Sequence, residues 1–267
     1  MLAFSIKAGY VGTTMSAVSV IMPTYNRGWI IERAIKSVLA QSFRDFELIV
    51  VDDGSSDDTK KKLAAHADKR IRILFGKHKG ASAARNMGIR ASKCPLLAFL
   101  DTDNVWHPTF LETMKAELKP DMVLAYSSQN MLLIGGTKKK PVVLGRKVRA
   151  TEYNYTKLFN ENYIDTNAAL VRAVAVKKAG LFDTKLLSLE DWDLFTRIAI
   201  SNPLGVKHVD QVLGDYYYYI KSVASTVTNK NFTERVILRG FGIHSNHPDR
   251  VRITKGFKRL ARSRAKR

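Results

Sequence analysis

The stretch PLLAFLDTDN, residues 95–104, joins a short apolar run to two carboxylates that are one residue apart. Residues 95–100 are typical of a buried strand, and Asp101 and Asp103 follow at the point where that strand should end. The spacing of the two acids alone is weak evidence, because a chain with 24 acidic residues in 267 contains about two such pairs by chance. The segments around the pair therefore decide what it means.

Similar apolar runs alternate with helix-like segments through the first 120 residues. Runs of five to seven apolar and β-branched residues predict strands at 17–23, 46–51, 71–75 and 95–100. Apolar residues at helical spacing predict helices at 29–39, 60–65 and 81–91, and another that begins at Pro108. Such alternation predicts an α/β fold, with a mainly parallel central sheet and helices on both faces.

The pattern is looser beyond residue 120. We expect strands at 122–127, 167–173 and 216–220, a helix at 189–200, and an exposed basic loop or hairpin at 137–150. The expected organisation is an N-terminal extension (1–16), an α/β domain (17–225) and a helical, basic C-terminal tail (226–267). Either Met1 or Met15 could be the start of the protein.

Composition narrows the class of protein. Hydrophobic residues make up 45% of the chain, which is enough for a sizeable core. The single cysteine excludes an internal disulfide and a cysteine-based zinc site. With no convincing signal peptide and no apolar run long enough to span a membrane, we expect a cytoplasmic protein.

The net charge of +20 is unevenly distributed. Nine of the eighteen residues from Arg250 to Arg267 are Lys or Arg, and none is acidic. An apolar stripe at helical spacing within them fits a helix on an anionic membrane surface, so the protein could be peripheral on the inner face of the membrane. A solvated basic end explains the charge equally well, and nucleic-acid binding is the weaker choice because interleaved aromatic residues are missing.

Polar residues follow three of the four N-terminal strands. They are Thr24-Tyr25-Asn26, Asp52-Asp53-Gly54-Ser55, and Asp101 with Asp103. The carboxyl ends of parallel strands share one edge of a sheet, so the three clusters should meet there. Neither GxGxxG nor GxxxxGK[ST] follows the first strand, which disfavours dinucleotide-binding dehydrogenases and P-loop enzymes.

Five motifs together resemble family 2 glycosyltransferases with the GT-A fold. They are VSVIMPTYNR, FELIVVDDGSSDDT, GASAARNMGI, LLAFLDTDN and GLFDTKLLSLEDWDLFTR, in the order and at the separations typical of that family. The resemblance covers roughly Ala17 to Tyr218 and implies transfer of a sugar from a nucleotide donor to an acceptor hydroxyl with inversion. Two departures are GKHKGASAARN, where an Asn-x-Gly opening is commoner, and Asn104, where a further Asp is frequent.

The resemblance implies roles for the donor site. Asp103 should be the main ligand of Mn²⁺ or Mg²⁺, and Asp101 should meet the ribose or a metal-bound water. Arg85 is suited to a bidentate contact with the diphosphate or ribose. Asp53 should accept a hydrogen bond from the base of a UDP-sugar. Tyr25 should stack on that base, and the pocket should be shaped by Pro23, Thr24 and Asn26.

The motif LEDWDLF should carry the acceptor chemistry. In the resemblance Asp191 is the general base, and Glu190 positions the acceptor. Trp192 is either an acceptor platform or a packing residue. Asp193 should orient the loop or cap the following helix. Asp52 is open between a role in the site and an ordinary turn acid.

Two other functions are compatible with parts of the sequence. A metal-dependent nucleotidyltransferase would share the α/β sheet and the acids, but TYNRGW does not supply the Gly-rich basic loop that it needs after the first strand. A basic nucleic-acid-binding domain would explain the charge but not the ordered acids. The expected acceptor is a glycan, a lipid-linked sugar or a cell-surface polymer.

Overall fold

The computed structural model describes residues 16–186 and 188–219, and nine strands in this part of the chain form one sheet. The strands are β1 (Val18–Thr24), β2 (Phe46–Asp52), β3 (Ile71–Phe75), β4 (Leu96–Phe99), β5 (Val105–Trp106), β6 (Leu124–Gly136), β7 (Pro141–Arg149), β8 (Ala169–Arg172) and β9 (Val206–Tyr219). The helices are α1 (Ile31–Leu39), α2 (Thr59–Ala64), α3 (Ala81–Ala91), α4 (Phe110–Glu117), α5 (Tyr155–Leu158), α6 (Ala173–Lys178) and α7 (Glu190–Ser201).

The sheet has a parallel half and a mixed half. In the order β3-β2-β1-β4 all pairs are parallel, as the strand–helix alternation predicts. The order continues β8-β6-β9-β5, in which β6 and β9 are parallel and the other pairs are antiparallel. The GT-A fold expected from the motifs is confirmed, and the antiparallel pairs are an addition that the motifs did not predict.

Helices cover both faces of the sheet, as expected for this fold class. One face packs on α1 and α4 through Ile31, Ile35 and Phe110. The other face packs on α3, α6 and α7, where Ile89 and Phe195 are buried. Every residue of β1 is buried, because this strand lies at the centre of the parallel half with helices above and below it.

Strands β6 and β9 are much longer than the sequence indicated. They have 13 and 14 residues and pair with each other from Leu124↔Val206 to Ile134↔Tyr219, with two register shifts. Beyond its shared ladder with β9, β6 turns back through residues 137–140 into β7, so the basic segment at 137–150 is a hairpin.

Some sequence expectations fall outside the described residues. They include the C-terminal tail at 226–267 and all but the last residue of the N-terminal extension at 1–16. Within the described part of the chain, no helix has both the length and the apolar character needed to cross a bilayer.

Candidate active site

A cleft of about 660 Å³ opens at the carboxyl ends of β1, β2 and β4. This is where ligands bind in open α/β sheets, because the loops that follow parallel strands meet at this edge. Most of the residues that the sequence analysis selected line this one cleft, namely Pro23, Thr24, Tyr25, Asn26, Asp53, Arg85, Asp101 and Asp103.

The loops after β1 and β2 are joined by hydrogen bonds beneath the cleft. The backbone N–H of Asn26 donates to Ser55 Oγ at 2.9 Å, and Asn26 Oδ1 accepts from the N–H of Ser56 at 2.8 Å. The N–H of Ser55 in turn donates to Asp52 Oδ1 at 3.0 Å. Asn26 thus links two loops at the cleft, and Asp52 makes the bond of an ordinary turn acid.

One end of the cleft combines a carboxylate with two stacked rings. Asp53 is 5% exposed, and its two oxygens accept hydrogen bonds from the N–H groups of Lys79 (2.9 Å) and Gly80 (2.7 Å). Each oxygen has a second lone pair, so the carboxylate can still accept from a ligand N–H. The rings of Tyr25 and His78 are stacked with centroids 4.0 Å apart. His78 follows β3, at the segment where the chain departs from the usual Asn-x-Gly.

Arg85 joins two carboxylates that are far apart in the sequence. Its Nη2 donates to Asp101 Oδ1 at 2.7 Å, and its Nη1 donates to Glu190 Oε1 at 2.8 Å. The arginine is 4% exposed. Both terminal nitrogens are engaged by acids, and the expected contact of Arg85 with the diphosphate stays a prediction. Arg85 is a bridge that fixes Asp101 against the first turn of α7.

Asp103 lies in the cleft beside Asp101 and Arg27. Burial, followed by the neighbouring Asp101, raises the pKa of Asp103, and Arg27 lies 4.0 Å from its Oδ2. Two crowded carboxylates of this kind suit Mn²⁺ or Mg²⁺, which prefer oxygen ligands. Among residues 16–186 and 188–219 no group of three His, Cys, Asp or Glu side chains could hold a metal. A cation at Asp103 would therefore share its coordination with oxygens of a bound ligand.

Asp191 lies in the first turn of α7 and is partly buried. Its Oδ1 accepts hydrogen bonds from the N–H of Trp192 at 2.7 Å and from Asn162 Nδ2 at 3.1 Å. Burial, Glu190 and Asp165 raise the pKa of Asp191 to about 7. The positive end of a helix favours a carboxylate by only about 0.3–1 kcal/mol, so burial prevails. A carboxylate that titrates near neutral pH is suited to act as a general base.

The start of α7 also sets the environments of the other residues of LEDWDLF. Leu189 precedes the helix with a left-handed φ of 62° and a buried side chain. Trp192 is 1% exposed and donates its indole N–H to the carbonyl of Leu158 at 2.6 Å, which is the environment of a packing residue and favours that alternative over the acceptor platform. Its helical spacing with Phe195 was the sequence signal for a packing role. Asp193 pairs with Arg197 one turn along the helix, at 2.5 Å.

Several polar residues of the site were missed by the sequence analysis. Asn167 donates from Nδ2 to Asp101 (3.2 Å) and to Asp165 (2.8 Å), and Arg149 lies 3.3 Å from the other oxygen of Asp165. Burial, and then the charges of Asp165, Asp103 and Asp101, raise the pKa of Tyr216. The sequence signal for Asp165 and Asn167 was the acid–amide run IDTN, directly before a strand.

Sequence comparisons place the chain among known proteins. The family model of Glycosyl transferase family 2 matches residues 19–179. A glycosyltransferase of Rickettsia conorii is 31% identical over 198 residues, 70% of this chain and 31% of that protein, so the chain spans about a third of it. The Escherichia coli UDP-Glc:alpha-D-GlcNAc-diphosphoundecaprenol beta-1,3-glucosyltransferase WfgD is 28% identical over 210 residues, 78% of this chain and 79% of that protein.

Solved structures share the fold. Residues 1–349 of TarS from S. aureus, in complex with UDP-GlcNAc, superpose with a TM-score of 0.62 at 19% identity, covering 92% of this chain and 72% of that one. The mannosyltransferase PcManGT from Pyrobaculum calidifontis, in complex with GDP-Man and Mn²⁺, gives a TM-score of 0.57 at 18% identity, covering 76% and 57%.

Proposed function

The chain belongs to Glycosyl transferase family 2, and on this premise we propose that it transfers a sugar from a UDP-sugar to an acceptor hydroxyl with inversion at the anomeric carbon. The observation that carries the proposal is one cleft in which Asp53, Asp101 and Asp103 meet. Arg85 connects that cleft to Glu190, the residue next to Asp191. A donor site and a potential base are thus adjacent.

The donor nucleotide would lie between the Asp53 end and Asp103. The ionised carboxylate of Asp53 can only accept hydrogen bonds, which suits the N3–H of uracil. Tyr25 offers an aromatic face for the base. Because the ring of His78 already stacks on Tyr25, the base would have to displace it or use the remaining surface. Asp53 favours a base with a ring N–H, uracil or guanine, over adenine and cytosine, whose ring nitrogens at the corresponding edge only accept. The E. coli relative is also named for a UDP-linked donor.

Asp103 would hold Mn²⁺ or Mg²⁺ together with diphosphate oxygens. A bound cation would neutralise the charge that the diphosphate gains as it leaves. Asp101 is fixed by Arg85 and Asn167, so its carboxylate cannot swing away from the cleft. It is therefore positioned to meet the ribose or a metal-bound water.

Asp191 would act on the acceptor. As the acceptor oxygen forms its bond to the anomeric carbon, the carboxylate of Asp191 takes the hydroxyl proton. The bond from that carbon to the diphosphate breaks on the opposite face, and its electron pair leaves with the diphosphate. Glu190 is held by Arg85 and would orient the acceptor from its other oxygen. Inversion follows from attack opposite to the leaving group.

The acceptor that we propose is a lipid-linked glycan, with a cell-surface polymer as the alternative. The E. coli relative is named for a diphosphoundecaprenol-linked acceptor, and the chain spans 79% of its length. Such an acceptor would place the enzyme in the cytoplasm at the inner membrane face. The cationic segment from Arg250 to Arg267 would favour an anionic membrane surface.

A panel of nucleotide sugars tests the donor assignment. Donor hydrolysis and thermal stabilisation should both be largest for a UDP-sugar with Mn²⁺ or Mg²⁺, because uracil N3–H can donate to Asp53 while the cation and Asp103 hold the diphosphate. A ligand present at 100 times its Kd stabilises the folded state by about 2.7 kcal/mol, which a melting experiment detects readily. Stabilisation by a GDP-sugar and not by any UDP-sugar would contradict the uracil assignment.

The metal site is tested by Asp103→Asn. We expect the variant to bind UDP at least about tenfold more weakly in Mn²⁺ and to lose the dependence on the cation. Without metal it should melt at a higher temperature than the wild type, since the buried charge beside Asp101 is removed. Isothermal titration with and without EDTA measures the first effect, and calorimetry measures the second. Unchanged cation dependence would show that Asp103 is not the ligand.

A further inference from the structure

The outer strand of the β6–β7 hairpin exposes apolar side chains. Val142, Val143, Leu144 and Val148 are 53–57% exposed, and they are half of the large exposed apolar residues in the described part of the chain. Within residues 16–186 and 188–219, β7 pairs with β6 alone, so its outer edge has no strand partner. Exposed edges and apolar patches of this kind usually mark an interaction surface.

The same hairpin is strongly cationic. Residues 122–151 include six Lys or Arg and no acid, although the whole chain has 24 acidic residues. Three of the cations, Lys138, Lys139 and Lys140, form the tip of the hairpin, and Lys147 precedes Val148, with its side chain on the opposite face of β7. We call the four apolar residues and the three lysines of the tip the β7 surface. Apolar side chains among lysines match the boundary of an anionic bilayer, where tails are apolar and phosphates are negative.

The β7 surface leads to the candidate active site. The strand covers about 26 Å from its first residue to its last. That last residue, Arg149, lies 3.3 Å from Asp165, which is one of the groups that raise the pKa of Asp191. Val148 is still exposed one residue before it. The exposed side chains therefore run from the tip of the hairpin to the acceptor side of the site.

We propose that the β7 surface docks along an anionic lipid bilayer, with its valines and leucine at the headgroup boundary and its lysines against lipid phosphates. Charge disfavours two other occupants, a second copy and the basic C-terminal segment. A second copy paired edge to edge would bring two sets of cations together without an acid between them, and the segment from Arg250 to Arg267 has the same sign. The docking does not depend on the proposed reaction.

Sedimentation of the full chain with lipid vesicles tests the proposal. We expect binding to phosphatidylglycerol vesicles, little binding to phosphatidylcholine vesicles, and release in about 0.5 M salt, where exposed charges are screened. The triple variant Lys138→Glu, Lys139→Glu, Lys140→Glu should bind at least about tenfold more weakly, because each lysine near the surface contributes to the attraction. The double variant Val142→Ser, Val143→Ser should also bind more weakly, and its loss should persist in moderate salt.

A matched control exists on another element, helix α6. Val174 on α6 is 55% exposed, and Lys177 and Lys178 are exposed beside it. The variant Val174→Ser, Lys177→Glu, Lys178→Glu makes the same kind of change away from the hairpin. It should bind vesicles like the wild type, and the hairpin variants should match the wild type in melting temperature and in hydrolysis of a soluble donor.

Three outcomes would overturn the proposal. One is equal vesicle binding by the wild type and the lysine variant. Another is a wild-type dimer in vesicle-free buffer that the hairpin variants abolish, which would assign the surface to a second copy. The third is retention on duplex DNA without vesicle binding, which would assign it to nucleic acid. Vesicle binding by a protein that turns over no nucleotide sugar would instead refute only the proposed function.

Discussion

Asp191→Asn should lower the turnover of sugar transfer about 10³-fold and leave the affinity for the UDP-sugar within about threefold. General base catalysis contributes about 10²- to 10⁴-fold, and an amide cannot take the proton of the acceptor hydroxyl. The donor contacts proposed at Asp53 and Asp103 do not involve Asp191, so binding should persist. Single-turnover kinetics and titration with UDP separate the two quantities.

The pH dependence has a definite sign. The base must be ionised, so wild-type turnover should rise with pH through about 7, the raised pKa of Asp191. For stability, the folded-state pKa of Asp191 lies above its unfolded value of 3.8. The stability that the protonated carboxyl contributes is therefore fully present below pH 3.8 and is lost as pH rises through about 7. Asp191→Asn should therefore melt at a higher temperature than the wild type at pH 8 and at the same temperature near pH 3.5.

Asp193→Asn is the matched control for this experiment. It makes the same substitution two residues along α7, where the carboxylate pairs with Arg197 and lies on a different side of the helix from Asp191. Turnover should stay within about threefold of the wild type, and stability should fall by about 1–3 kcal/mol because the ion pair is mostly buried. If Asp191→Asn retains more than a tenth of wild-type turnover, another group is the base.

Arg85→Met should destabilise the protein by about 2–4 kcal/mol and lower turnover at least about 10²-fold. Breaking a buried ion pair costs about 3–5 kcal/mol, because the remaining charges are left without a partner. We expect a smaller cost here than for a fully buried pair, because the side chains of Asp101 and Glu190 are still 29% and 21% exposed. Without the bridge, Asp101 and the first turn of α7 lose their relative position.

Two further variants distinguish charge from packing. Arg72→Met removes a surface partner of Glu47 and should cost less than about 1 kcal/mol in urea unfolding. Adding Asp101→Asn and Glu190→Gln to Arg85→Met should restore most of the stability but none of the turnover, because the buried charges are then gone. A triple variant as unstable as Arg85→Met would show that the arginine acts through packing.

The parallel half of the fold and much of the cleft follow from the sequence. Strand ends at Asp53 and Asp101 are visible as apolar runs that stop at acids, and parallel strands bring such ends to one edge. Local patterns set the strand pairing and the helix positions in this half. For this reason β1 to β4 lie close to the bounds expected from the sequence. The roles of the acids came from the resemblance in motif order and remain predictions.

The remainder depends on distances that no local pattern encodes. The bridge of Arg85 needs residues 85, 101 and 190 to meet, and nothing in ARN distinguishes it from a phosphate-binding arginine. Strand β9 was foreseen only at its end, because KHVDQVLGD is polar and gains its regularity from pairing with β6. Asn162 lies in a segment without a motif, and only the fold brings it to Asp191.

The left-handed backbone at Leu189 places two opposing demands on a single position. Glycine would adopt this φ without cost, whereas a branched side chain pays about 1–3 kcal/mol for it. A glycine, however, would leave a hole in the apolar interior that the leucine fills. Neither leucine nor glycine at this position satisfies both the main chain and the interior. Evolution of this enzyme towards greater heat resistance is therefore constrained at the residue just before Glu190 and Asp191.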